Sequence, residues 1–120
     1  MNGTPCDSQV LDLEHLRLQT AGDPALQGEL LALFETQCMR LPAPIRDGGP
    51  PAQRADAAHK LLGSARAIGA WRLAFATEAL EASLRKGVAD AAVAQLVARF
   101  DEALAVTRQA LAARERASAA

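Results

Sequence analysis

The sequence predicts an all-α fold, an antiparallel four-helix bundle carrying a short additional N-terminal helix. Three observations predict it. Half of the 120 residues are hydrophobic but only 3% are aromatic, and the alanine and leucine that dominate favour close helix packing over a sheet. Apolar positions recur at intervals of three and four through four long stretches, the period of a helix with one buried stripe. Between those stretches stand short runs of glycine, proline and aspartate that do not continue a helix, and connections that short leave neighbouring helices antiparallel.

Residues 1–9 carry Gly3 and Pro5 without periodicity and are expected to form a mobile tail. Asp12 can cap a short helix through Thr20 with Leu13 and Leu16 inward, and Gly22 suits the left-handed residue after it. His15, with no second ligand one turn on, is read as a plain surface histidine. Asp23-Pro24 is an N-cap followed by proline at the first helical position, where the missing N–H costs nothing. The long helix that follows is expected to bury Leu26, Leu30, Leu33, Gln37 and Leu41 along one face, broadened by Leu31, Phe34 and Cys38. Pro42 and Pro44 should kink or end it, and Asp47-Gly48-Gly49-Pro50-Pro51 is a turn.

The central helix is predicted from about Ala52 to Ile68, ended by Gly69. Another spans Trp71 to Lys86, with Leu73, Ala76, Leu80 and Leu84 inward and Gly87 closing it, and Trp71 is expected to anchor the junction. Asp90 caps a last helix on which Val93, Val97, Phe100, Leu104, Thr107 and Leu111 face the core. The organisation expected is a tail over 1–9, one helical domain over 10–115 and a frayed C-terminus over 116–120. A chain of this length buries about two-thirds of its unfolded surface in one core and has no room for a second.

Composition excludes several roles. The formal charge is −1 with basic residues scattered, so the electrostatic footprint of a nucleic-acid binder is missing. No run reaches the roughly 18 apolar residues of a membrane span, and the start has neither a basic nor an apolar segment of a secretory signal. Cys6 and Cys38 lack metal-ligand spacing and read as free thiols, so a cytoplasmic protein is expected.

The chemistry concentrates in Ala58-His59-Lys60-Leu61-Leu62-Gly63-Ser64-Ala65-Arg66-Ala67-Ile68-Gly69. At about 100° per residue, Ala58, Leu61, Ala65 and Ile68 form an apolar stripe and His59, Gly63 and Arg66 cluster opposite, so the imidazole should point to solvent. A glycine one turn after the histidine costs about 1 kcal/mol of helix propensity relative to alanine, and access to the ring by another molecule is a reason for it. Imidazole is nucleophilic and substantially neutral near pH 7, and phosphohistidine is the product of its attack on a phosphoryl group. The chain has no Gly-rich nucleotide loop and no metal-binding carboxylate cluster.

This stretch resembles the histidine-containing phosphotransfer (HPt) domain, whose pattern is H-x-x-K-G-S followed by a second glycine. His59, Gly63, Ser64 and Gly69 match, the likeness continues through Ala70, Trp71 and Arg72, and Leu80-Glu81 looks like the family's Leu-Glu pair on the next helix. Upstream, Asp12 to Leu16, Gly22-Asp23-Pro24 and Leu33-Phe34 look like the family's first helices, so the similarity covers roughly residues 10–110. One position departs: the lysine three residues after the histidine is Leu62.

The resemblance implies a phosphorelay protein that accepts a phosphoryl group on His59 from a kinase or receiver domain and passes it to a response-regulator aspartate. Its partners would be receiver domains of response regulators or hybrid sensor kinases. No cofactor is expected in this chain, magnesium being the receiver's, and a monomer is expected. Gly63 and Ser64 would support the site, Glu81 would hydrogen-bond the other ring nitrogen, and Arg66 and Lys60 are the basic candidates for pairing with the added charge. Leu62 would add an apolar patch to the docking face, and Arg66 would in part replace the missing lysine. An alternative reading is a non-phosphorylated adaptor or inhibitor that binds receivers through the same face.

Overall fold

The computed structural model describes residues 7–47 and 49–119, and among these the secondary structure is entirely helical. Helix α1 spans Asp7–Val10, α2 Leu13–Gln19, α3 Pro24–Arg40, α4 Pro42–Asp47, α5 Pro51–Ile68, α6 Trp71–Lys86 and α7 Asp90–Ala119. Helix α5 packs on α6, α6 on α7, α7 on α3 and α3 on α5, so the long helices close a ring around one core. The short helices α2 and α4 lean on α5 from outside the ring.

Local chemistry sets most boundaries where the sequence places them. Asp23 caps α3 by accepting from Ala25 N and Leu26 N, with Pro24 at the first position. Pro42 separates α3 from α4, because it has no N–H to continue the helix. Gly69 and Gly87 follow α5 and α6 at φ of 86° and 71°, the left-handed conformation that side chains disfavour. The core is built from Phe34, Ile45, Leu61, Leu73, Leu80 and Phe100, all shielded from solvent. Its buried hydroxyls are satisfied within their own helices: Thr77 Oγ1 donates to Leu73 O at 2.7 Å and Thr107 Oγ1 to Ala103 O at 2.8 Å.

Four expectations change. Asp7–Val10 forms a helical turn inside the stretch expected to be a tail, and Val10 and Leu11 are buried, with α1 against α6 and α7; residues 1–6 lie outside the described residues. On α3 only Phe34 and Cys38 are fully buried, whereas Leu26 and Leu33 are exposed. Two leucine rows lie side by side on that helix, and the row led by Phe34 is the one α5 and α7 cover. Helix α7 extends to Ala119, past the expected domain boundary at 115, since its last turns carry no glycine or proline to stop them; Ala120 lies outside the described residues. Cys38 is a free buried thiol pushed up to about 12 by burial, and Cys6 lies outside the described residues.

The fourth change concerns Leu62, which is 3% exposed and belongs to the core. It falls on the line Ala55, Ala58, Leu62, Ala65, all of them buried. Because α5 is covered by α2, α3, α4 and α6, its buried arc is wider than one stripe and takes in the position 60° from His59. Leu62 is not a docking residue.

Candidate functional site

His59 lies in the middle of α5 with its side chain 70% exposed. Across the α5–α6 seam, the Glu81 carboxylate stands 3.1 Å from Nδ1 through Oε2 and 3.3 Å through Oε1. A carboxylate oxygen accepts, so Nδ1 is the donor in this contact and Nε2 is the ring nitrogen that Glu81 leaves unengaged. Glu81 itself is only 13% exposed, which fixes its direction. The register of α5 on α6 creates the pair: His59 and Glu81 flank the seam sealed by Leu61, Leu62, Leu80 and Leu84.

Behind Glu81 stands Arg85, a residue the sequence reading passed over. Its Nε donates to Glu81 Oε2 at 2.9 Å and its second terminal nitrogen donates to Asp56 Oδ1 at 3.2 Å. Those two carboxylates hold the guanidinium above its ordinary range. Glu81 Oε2 thus accepts from His59 on one side and Arg85 on the other. The signal available in the sequence is the Glu81–Arg85 spacing of one helical turn; the Asp56 contact depends on how two helices meet.

Gly63 is exposed, and a Cβ built on it would meet nothing within 4 Å. Backbone and packing therefore do not demand glycine there. Together with Ser64 and Ala67 it floors a shallow groove of about 160 Å³ whose far wall is Leu30, Leu33 and Phe34 of α3. Leu33 is 53% exposed, so this groove, which starts one turn beyond His59 at Gly63, has an apolar rim. Lys60 is exposed on the neighbouring face. Arg66 is not gathered to the ring: its guanidinium pairs with Glu78 at 2.7 Å, seven residues along α5 from His59. The expectation that Arg66 substitutes for the missing lysine therefore meets a committed side chain.

The C-terminal end of α5 is fixed from α2. Asp12 N donates to Gly69 O at 2.9 Å, while the Asp12 carboxylate accepts from Trp71 Nε1 and from His15 N, each at 3.0 Å. These donors hold that carboxyl below its ordinary range. His15 Nε2 donates to Arg66 O at 3.0 Å, capping one of the carbonyls that a helix end leaves unpaired. Its ring also meets Trp71 edge-on, with centroids 4.8 Å apart. His15 is thus a half-buried structural residue and not a surface histidine. Gly69 is needed twice here, for its positive φ and because a Cβ would stand 2.9 Å from both Cβ and O of Asp12.

Among the described residues no group of three or more histidine, cysteine, aspartate or glutamate side chains is gathered to hold a metal ion. No helix among them is long and apolar enough to cross a membrane. Residues 24–117 match the family described as Hpt domain. The chain belongs to the Hpt domain family. No curated protein and no solved structure matches it. Membership carries a phosphotransfer role in two-component signalling. The Hpt match begins at Pro24, so α3 to α7 are its frame, and the α2 brace with Asp12 and His15 lies outside the matched residues.

Proposed function

We propose that this Hpt domain relays phosphoryl groups through His59 Nε2, between a kinase or receiver domain and a response-regulator aspartate. One observation carries the reading: the His59 side chain is largely exposed and is held at Nδ1 by a largely buried carboxylate. In the accepting step the Nε2 lone pair forms a bond to phosphorus and the acyl-phosphate bond of the donor aspartate breaks, its electron pair leaving on the carboxylate. The ring keeps its Nδ1 proton and becomes cationic, and Glu81 balances that charge. Magnesium, on this reading, comes with the receiver.

The partner would approach over Gly63, where no side chain stands beside the ring, and seat on the groove edged by Leu30 and Leu33. Ser64 lines that groove, and Lys60 sits close enough on the helix to meet an acidic partner surface. On this reading the four long helices are an antiparallel bundle that works as a cytoplasmic monomer. A panel of phosphorylated receivers, offered to the wild type and to His59→Gln, tests the reading. Transfer to the wild type alone, as an acid-labile and alkali-stable adduct, is the expected result. Receiver binding without transfer in both would instead favour the adaptor alternative.

A further inference from the structure

The reading of His59 as phosphoacceptor leaves Arg85 without a role, yet one carboxylate oxygen joins the two residues. His59 Nδ1 and Arg85 Nε meet the same atom, Glu81 Oε2, at 3.1 and 2.9 Å. Two other candidate sources of positive charge are removed: position 62 is a buried leucine and Arg66 is bound to Glu78, which leaves exposed Lys60 on the neighbouring face and Arg85. Arg85 is also restrained from its far side by Asp56, an exposed carboxylate one turn before His59 on α5. The chain Asp56, Arg85, Glu81, His59 alternates acceptor and donor and crosses the α5–α6 seam twice.

We propose that Arg85 is a positioning residue for phosphoryl acceptance, clamped by Asp56 and Glu81 so that the Glu81 carboxylate stays turned to Nδ1 of His59 and Nε2 is fixed as the attacking nitrogen. A carboxylate that accepts from a guanidinium keeps its charge and its direction, and a charged acceptor at Nδ1 sets the imidazole tautomer. Without Arg85, Glu81 can swing to solvent, and the ring is free to carry its hydrogen on Nε2, where no lone pair remains for attack. Asp56 has a second effect. It lies near the place where a phosphoryl group would add a charge of nearly −2, and Arg85 neutralises the repulsion between them.

This inference rests on His59 being the phosphoacceptor, and the test separates the two claims. Phosphoramidate serves as the donor, so no partner contact enters the result: the Nε2 lone pair bonds to phosphorus, and the donor's P–N bond breaks with its electron pair leaving as ammonia. The first readout is the tautomer of His59 by nitrogen-15 NMR at neutral pH without donor. Arg85→Ala should shift the ring from Nδ1–H toward Nε2–H, and Arg85→Lys should restore most of the wild-type population. The second readout is the labelling rate, expected to fall about tenfold in Arg85→Ala, the scale on which groups behind a histidine-orienting carboxylate act, and to recover in Arg85→Lys. Asp56→Asn should keep most of the wild-type tautomer, since Glu81 still holds Arg85, and should lengthen the label's lifetime about twofold, with the larger effect in the Arg85→Ala background, where nothing neutralises Asp56. Arg85 is 44% exposed, and matching circular dichroism spectra would show that the variants fold. An unchanged tautomer in Arg85→Ala overturns the proposal whatever the rate does. Label on His59→Gln overturns the phosphoacceptor reading itself, whereas label lost in His59→Gln with Arg85→Ala at the wild-type rate and tautomer overturns only the role of Arg85.

Discussion

Substituting alanine at Gly69 and at Gly87 should have unequal effects, although both glycines end helices in the same left-handed conformation. At Gly87, φ is 71° and a Cβ would meet nothing within 4 Å, so the cost is the backbone term alone, about 1 kcal/mol. At Gly69, φ is 86° and the new Cβ would stand 2.9 Å from Asp12 Cβ and from Asp12 O, and 3.3 Å from His15 Cβ. Two of those atoms belong to side-chain stems and one to backbone, so no flexible tip can move aside. Asp12 cannot retreat either without releasing Gly69 O, to which its N–H donates at 2.9 Å. Gly69→Ala should therefore cost about 3 kcal/mol, the backbone term plus displacement of the α2 brace. For a domain of this size that separates a fall in Tm of about 4 °C at Gly87 from about 12 °C at Gly69. Circular dichroism melts measure both, and Trp71, the sole tryptophan, reports loss of its Asp12 contact by fluorescence. Equal melting temperatures for the two variants, or an unchanged Trp71 spectrum in Gly69→Ala, would refute the reasoning.

Further outcomes are expected elsewhere. Gly63→Ala should raise stability by about 0.5–1 kcal/mol in thermal melts, because the helix gains propensity and the Cβ enters open space, while Gly63→Gln should keep that fold and slow phosphotransfer by shading the ring. Leu62→Lys should lower stability by about 3 kcal/mol in urea melts, since it replaces a buried leucine with a charge, and should not improve phosphoryl acceptance. The Asp12 carboxyl is held below its ordinary 3.8 first by Trp71, then by His15, so the stability it contributes is full above that value and is lost as pH falls through the lower folded value. Trp71 fluorescence should accordingly change in acid below about pH 3.8, and Asp12→Asn should abolish that transition.

How far the sequence reveals the molecule depends on whether a feature is local. Gly69, Gly87, Asp23-Pro24 and Pro42 act through their own backbone chemistry, and each marks its boundary in the structure as the sequence predicts. The exposure of His59 follows from periodicity within a single helix. Features that depend on two helices meeting do not follow from spacing. Leu26 and Leu33 look as apolar as Phe34 and Cys38, and only the positions of α5 and α7 decide which row is covered. Leu62 is buried because α5 has neighbours on several sides. Glu81 came from the family resemblance, not from pattern, and the Asp56–Arg85 contact joins residues on different helices that no periodicity relates. His15 is polar and isolated in the sequence, and its partner is a backbone carbonyl fifty-one residues away.

The central claim is that His59 Nε2 is where the phosphoryl group rides. Phosphorus-31 NMR of the protein phosphorylated by a receiver tests it most directly, because the chemical shift distinguishes the two ring positions and other phosphorylated side chains. One resonance is expected, assigned to Nε2-phosphohistidine, absent from His59→Gln and discharged when a second, unphosphorylated receiver is added. A resonance that persists in His59→Gln, or one assigned to the Nδ1 position that Glu81 occupies, would contradict it.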